Sequence, residues 1–212
     1  MLRQITWGAI AACAALAAVP AHAQQSIFTI GVSRIDLHSK TTGLRGIGIP
    51  PGADLEVQDA TTLFLAYQYK LTPNWGVELA AGLPPKHDTK ATGSIAFLGK
   101  VSSVKQAAPT LFVNYHFGDD SATWRPFVGL GVNYTRFYDA KSEYGQDIEL
   151  SDSVGPAAQL GLSYALTPQI SLCGAIATAK VKSDLVATGT TVQTTTIDFR
   201  PVVYTVALSY KF

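Results

Sequence analysis

The chain has 212 residues, 47% of them apolar and 10% aromatic, and a formal net charge of +1 at pH 7. That balance excludes a nucleic-acid-binding or polybasic membrane-surface protein, both of which need a concentrated positive field. Beyond the first two dozen residues there is no run of about 20 apolar residues, so helices do not carry the chain through a membrane. A soluble globule and a membrane β-barrel remain.

The first residues carry Arg3, then a mostly apolar stretch over 5–19, then Ala21-His22-Ala23. A charged start, a short apolar core and an A-x-A site make residues 1–23 a secretory signal peptide, leaving a single domain over 24–212. That domain carries fifteen residues of each charge sign and one cysteine, Cys173, which cannot form an internal disulfide. Cys173 lies among small residues and reads as inert packing.

Period-two alternation predicts eight strands, over 27–37, 61–70, 75–83, 106–117, 124–139, 153–165, 170–182 and 195–212. The first is ambiguous, because Phe28, Ile30 and Val32 share a face with Arg34 and Asp36. Either a bulge intervenes near Gly31 or these charges point inward. Further on, Trp75, Val77 and Leu79 oppose Glu78; Leu111, Val113 and Tyr115 oppose Asn114 and His116; Leu160 and Leu162 oppose Gln159 and Ser163. Three short turn signals, Leu71-Thr72-Pro73-Asn74, residues 118–123 and Leu166-Thr167-Pro168-Gln169, start about 47 residues apart. Longer polar or glycine-rich stretches, 38–60, 87–105, 140–152 and 183–194, read as loops between them.

Four long connections alternating with three short ones, in an even-stranded chain, is the asymmetry of an outer-membrane barrel with loops outside and turns in the periplasm. The fold class is therefore all-β, an eight-stranded antiparallel transmembrane barrel in the Gram-negative outer membrane. Tyr67, Tyr69, Trp75, Tyr115, Phe117, Tyr164, Tyr210 and Phe212 gather near the turn ends, where an interfacial aromatic girdle belongs. The closing strand ends on Phe212, with Tyr210 and Leu208 at alternate positions. This resembles the C-terminal signal read by the outer-membrane assembly machinery.

The inward set is Phe64, Ala66, Gln68, Glu78, Phe112, Asn114, His116, Phe127, Asn133, Gln159 and Ser163, apolar toward the loops and polar toward the periplasm. Eight strands enclose room for side chains or one small ligand, so a wide aqueous pore is improbable on size. Phe64, Phe112 and Phe127 with Asn114 and His116 are the candidate ligand pocket; the same phenylalanines also read as core filling. Pro84, Pro85, Pro109 and Pro201 fall in the loop-side halves of strands, where proline removes a ladder donor. They frame a candidate lateral portal, or else they simply start loops.

The remaining histidines, His38, His87 and His116, are scattered, and no spacing places His, Ser and a carboxylate together. No catalytic residue, metal ligand or cofactor is expected. The loop charges Lys40, Arg45, Lys86, His87 and Lys90 meet lipopolysaccharide phosphates or form a solvated rim.

Several stretches resemble the OmpW family, which includes the AlkL-type hydrocarbon channels. They are Asn74-Trp75-Gly76-Val77-Glu78-Leu79, Pro84-Pro85-Lys86-His87, Ala108-Pro109-Thr110-Leu111, Tyr115-His116-Phe117-Gly118-Asp119, residues 124–135, Gly161-Leu162-Ser163-Tyr164 and Ser209-Tyr210-Lys211-Phe212. The resemblance implies a narrow, largely apolar lumen that takes up small hydrophobic molecules, with lateral exit into the bilayer. Val154-Gly155-Pro156 and the aromatic-poor strand from Ile170 depart from the family pattern and bear on the pocket's shape. The competing reading is a structural or adhesive barrel whose loops contact phage or host surfaces.

Overall fold

A computed structural model of the protein describes residues 26–212; the signal peptide expected over 1–23 lies outside the described residues. Sixteen strands follow in chain order: β1 Ser26–Leu37, β2 Lys40–Thr41, β3 Arg45–Gly46, β4 Ala53–Val57, β5 Ala60–Lys70, β6 Trp75–Gly82, β7 Lys86–Gly93, β8 Lys100–Ala107, β9 Thr110–His116, β10 Trp124–Ser142, β11 Asp147–Leu150, β12 Ser153–Ala165, β13 Ile170–Ala179, β14 Lys182–Thr188, β15 Val192–Asp198 and β16 Pro201–Lys211. Eight of them close into a ring, β1–β5–β6–β9–β10–β12–β13–β16 and back to β1, each antiparallel to both neighbours. Closure pairs every strand of the ring with both neighbours, so no strand is left as a free sheet edge facing lipid.

Alternation explains the two surfaces. On β10, Val128, Leu130, Val132 and Tyr134 face outward and are exposed, while Phe127, Asn133 and Thr135 are buried inside. The outward aromatics pair near the turns: Trp75 against Tyr115 at 4.9 Å, Tyr115 against Phe117 at 5.0 Å, and Trp124 against Tyr164 at 4.5 Å between ring centroids. Both Leu-Thr-Pro turns close the same way. The Thr72 hydroxyl accepts from the main-chain N–H of Asn74 and Trp75, and the Thr167 hydroxyl from those of Gln169 and Ile170.

The first strand follows neither expected course. Its register with β16 runs without a shift from Ile27↔Lys211 to Leu37↔Pro201, so no bulge forms at Gly31. Arg34 and Asp36 stay on the outward face, bonded to each other at 2.8 Å, and Arg34 also reaches Asp59 at 2.9 Å. Mutual pairing at the loop-side rim removes the need to turn them inward.

The four stretches expected as loops contain strands instead. β4, β7 and β8 continue the sheet above β10, and β11, β14, β15 and β2 form a second, four-strand path joined by β3. Between them sits a buried apolar cluster that includes Val57, Val104, Phe137, Leu185, Ile197 and Phe199. Three expected strands also end early or split. The stretch 106–117 breaks at Ala108-Pro109, 170–182 stops at Ala179, and 195–212 breaks at Phe199-Arg200, where Arg200 has φ 44°.

Candidate functional site

The ring encloses a cavity of about 700 Å³, the size of a small-molecule site rather than of a water-filled pore. All eleven residues expected to point inward are buried or half-buried, and Phe64, Phe112, His116 and Phe127 line the cavity. The five pocket candidates do not form one group. Phe112 packs with Ala66, Ala80 and Ala157 in an apolar cluster that Phe64 and Ala177 flank. Phe127 lies lower, its ring 5.2 Å from that of His116.

That lower level is a hydrogen-bonded polar block. Asn114, fully buried, donates to Gln68 Oε1 at 3.2 Å and to Glu78 Oε2 at 3.1 Å. Gln159 donates to Glu78 Oε1 at 3.1 Å and to Asn114 Oδ1 at 2.8 Å, and the Gln68 amide meets His116 Nε2 at 2.9 Å. Inward glycines make the room. A Cβ on Gly129 would stand 2.1 Å from Asn114 Oδ1, and one on Gly161 2.3 Å from the Phe127 ring. Beneath the block, Lys70, Arg125 and Lys211 surround Asp120 of the turn between β9 and β10. The opposite wall is built of small inward residues, Ser171, Cys173, Ala175 and Ala177 on β13 and Thr205 and Ser209 on β16, all lining the cavity.

The wall is interrupted at one seam. The β6–β9 ladder runs from Trp75↔Tyr115 to Ala80↔Thr110 and stops. Pairing resumes only where Gln106 N–H donates to the Pro85 carbonyl at 3.3 Å and Lys86 pairs with Lys105. Ala81–Pro84 and Ala107–Pro109 face each other without a ladder bond; those ranges, 81–84 and 107–109, hold two of the candidate prolines, and Pro85 closes the seam from above. Ala81 belongs to the outward set of β6, between Leu79 and Leu83 (52% and 53% exposed), yet it lines the interior cavity together with Gly82 and Ala108. Pro201 is elsewhere. It opens β16, three strands round the ring from β6, and its carbonyl accepts from the Thr178 hydroxyl at 2.8 Å.

Of the loop charges, Lys40, Arg45, Lys86 and Lys90 are exposed, but His87 is 1% exposed and cannot meet a surface phosphate. Its Nδ1 lies 2.9 Å from the Gln58 carbonyl, and burial holds the imidazole below its ordinary range, against the opposing pull of that carbonyl, Asp59 and Asp88. One feature escaped sequence reasoning, the ionic cluster around Asp120; the gap in pairing was expected at Pro84, Pro85 and Pro109, though with Pro201 beside them. The inward Lys70 and Arg125, each flanked by an outward aromatic, were the available signal for that cluster.

The model of the OmpW family matches residues 23–212. The chain belongs to the OmpW family. It is 29% identical to outer membrane protein W of Vibrio cholerae over 96% of this chain and 97% of that one. It is also 28% identical, over 68% of each chain, to a Pseudomonas aeruginosa protein named for a dibenzothiophene metabolism operon, PahQ. Among solved structures, the outer membrane protein OprG of Pseudomonas aeruginosa superposes with a TM-score of 0.83 at 28% identity, covering 89% of this chain and 96% of that one. The ring of eight strands, its outward apolar surface and these relatives place the protein in the Gram-negative outer membrane.

Proposed function

We propose that this OmpW-family barrel takes up small hydrophobic molecules passively, receiving them from outside into the apolar upper lumen and releasing them sideways through the seam between β6 and β9. The observation that carries the proposal is Ala81, a residue on the lipid-facing side of β6 that lines the lumen where the ladder is missing. Two physical arguments support it. An apolar solute that moved downward would displace the bonds among Gln68, Glu78, Asn114 and Gln159, and each buried polar group left unpaired costs about 1–3 kcal/mol. An open seam in the apolar band also costs less where the backbone has fewer donors, and Pro84, Pro85 and Pro109 have none. The family resemblance implies the same class of cargo, and the relative named for dibenzothiophene metabolism agrees with an apolar aromatic one.

The test pins the seam with Gly82→Cys and Ala108→Cys in a Cys173→Ser background, and follows uptake of a small aromatic hydrocarbon by a deletion strain carrying each variant. Uptake should fall when the disulfide forms and return on reduction. Unchanged uptake with the cross-link formed removes the lateral exit. If the deletion leaves uptake untouched but alters attachment or phage sensitivity, the barrel is an adhesive scaffold instead.

A further inference from the structure

Three polar side chains are buried in the upper lumen, apart from the polar block around Glu78. Asn133 and Thr135 on β10 are 4% and 1% exposed, and Thr110 on β9 is buried opposite Asn133. They form one chain of hydrogen bonds. The Thr135 hydroxyl donates to Asn133 Oδ1 at 2.7 Å, and Asn133 Nδ2 donates to Thr110 Oγ1 at 2.9 Å. The chain ends on the backbone, where Asn133 Nδ2 and the Thr110 hydroxyl each reach the Ala108 carbonyl at 3.4 Å.

That carbonyl belongs to the missing rung of the wall. In the β6–β9 ladder, Ala80↔Thr110 would be followed two residues on by Gly82↔Ala108. At the far end of the same alternation, His116 N–H donates to the Asn74 carbonyl at 2.7 Å. Every second residue from Asn74 to Gly82 therefore presents its peptide groups to β9. Leu83 turns the other way: its N–H donates to the Leu63 carbonyl at 2.9 Å, and its carbonyl accepts from the Thr62 hydroxyl. One lip of the seam is thus tied toward β5, and the other is engaged from inside by β10 and Thr110. A carbonyl left unpaired in the apolar band is costly, and its natural partner is the Gly82 N–H across the seam. Asn133 and Thr110 meet that demand from the lumen instead.

We propose that Asn133 is the positioning residue of the seam: by engaging the Ala108 carbonyl from inside, it keeps the Gly82–Ala108 rung from forming and the wall open. The inference rests on the seam being the exit of the solute, but the state of the rung is measured separately from uptake.

The experiment measures amide hydrogen exchange by NMR on the whole barrel in phospholipid nanodiscs, for wild type and Asn133→Leu. Leucine fills a similar volume and supplies no donor. The Ala108 carbonyl should then pair with Gly82, slowing exchange of the Gly82 amide roughly tenfold while the Glu78 amide of the intact ladder stays unchanged. Loosening of the barrel as a whole would speed exchange instead, so slowing at Gly82 is specific to the rung. Thr110→Val, nearly isosteric, takes one donor from the same carbonyl and should slow the same amide, which keeps the test decisive where Asn133→Leu folds poorly. Uptake of a small aromatic hydrocarbon by the deletion strain carrying each variant should fall in step. A Gly82 amide that exchanges as fast as in wild type, or faster, in both variants overturns the proposal, whatever uptake does. A slowed Gly82 amide with full uptake upholds the role of Asn133 and overturns the lateral exit.

Discussion

Asn114 and Glu78 are joined inside the barrel, the Asn114 amide donating to Glu78 Oε2 at 3.1 Å while its oxygen accepts from Gln159 at 2.8 Å. Asn114 is fully buried, so no water replaces it. Asn114→Ala removes a donor to Gln68 and Glu78 and the acceptor of Gln159, and should cost about 1–3 kcal/mol. Urea unfolding in lipid vesicles, monitored by tryptophan fluorescence, measures the loss. A change below about 0.5 kcal/mol would mean that the block is already hydrated.

Gly161 has no room for a side chain, because a Cβ there would lie 2.3 Å from the Phe127 ring and 2.7 Å from the Gly174 carbonyl. Gly161→Ala should destabilise the barrel by about 1–3 kcal/mol through overpacking. Phe127→Leu in the same chain should recover part of that loss, since the ring tip is the closest obstacle. Two additive losses in the double variant would place the strain on the carbonyl side.

Leu130 is 73% exposed at the middle of the outward face of β10. Leu130→Arg puts a cation against the lipid interior and should cost about 2–4 kcal/mol, whereas the same change at Tyr138, near the loop-side end, should cost far less. The comparison is read from folding yields and unfolding midpoints in vesicles. Equal costs at both depths would misplace the apolar band.

His87 sets a pH dependence above the membrane. Burial holds its pKa below the ordinary 6.5, so between 6.5 and the folded value the unfolded segment binds more protons than the folded one. Stability of the β4–β7–β8 sheet is therefore full above pH 6.5 and declines as the pH falls below it. Protease cleavage of this sheet should rise between pH 7.5 and pH 5, and His87→Phe should flatten that rise. The same rise in His87→Phe would move the effect to another group.

Much of the ring was legible because the lipid and lumen faces differ so sharply. Leu160 and Leu162 opposite Gln159 and Ser163 leave one register for their strand. The extracellular strands were not, because water bathes one of their faces. Ser183, Leu185 and Ala187 do alternate inside against Lys182, Asp184 and Val186 on β14, but short polar strands with threonines resemble loops. Pro84, Pro85 and Pro109 were visible as breaks that could frame a gap, but not that Pro201 lies apart from them, since membership of one seam depends on which strand lies opposite. Asp120 and Lys211 are separated by 91 residues, and only the closed ring brings them together.

The small inward residues of β13 and β16 face a wall whose polar groups, Gln68, Glu78, Asn114 and Gln159, are tied to one another. Holding shape and setting capacity thus fall to different strands. Ala175 or Ala177 can be enlarged to narrow the chamber, or Ser171 and Ser209 made more apolar to change what it welcomes, while every bond around Glu78 stays in place. Members of such a lineage are free to change diet on one side of the barrel without renegotiating its frame on the other.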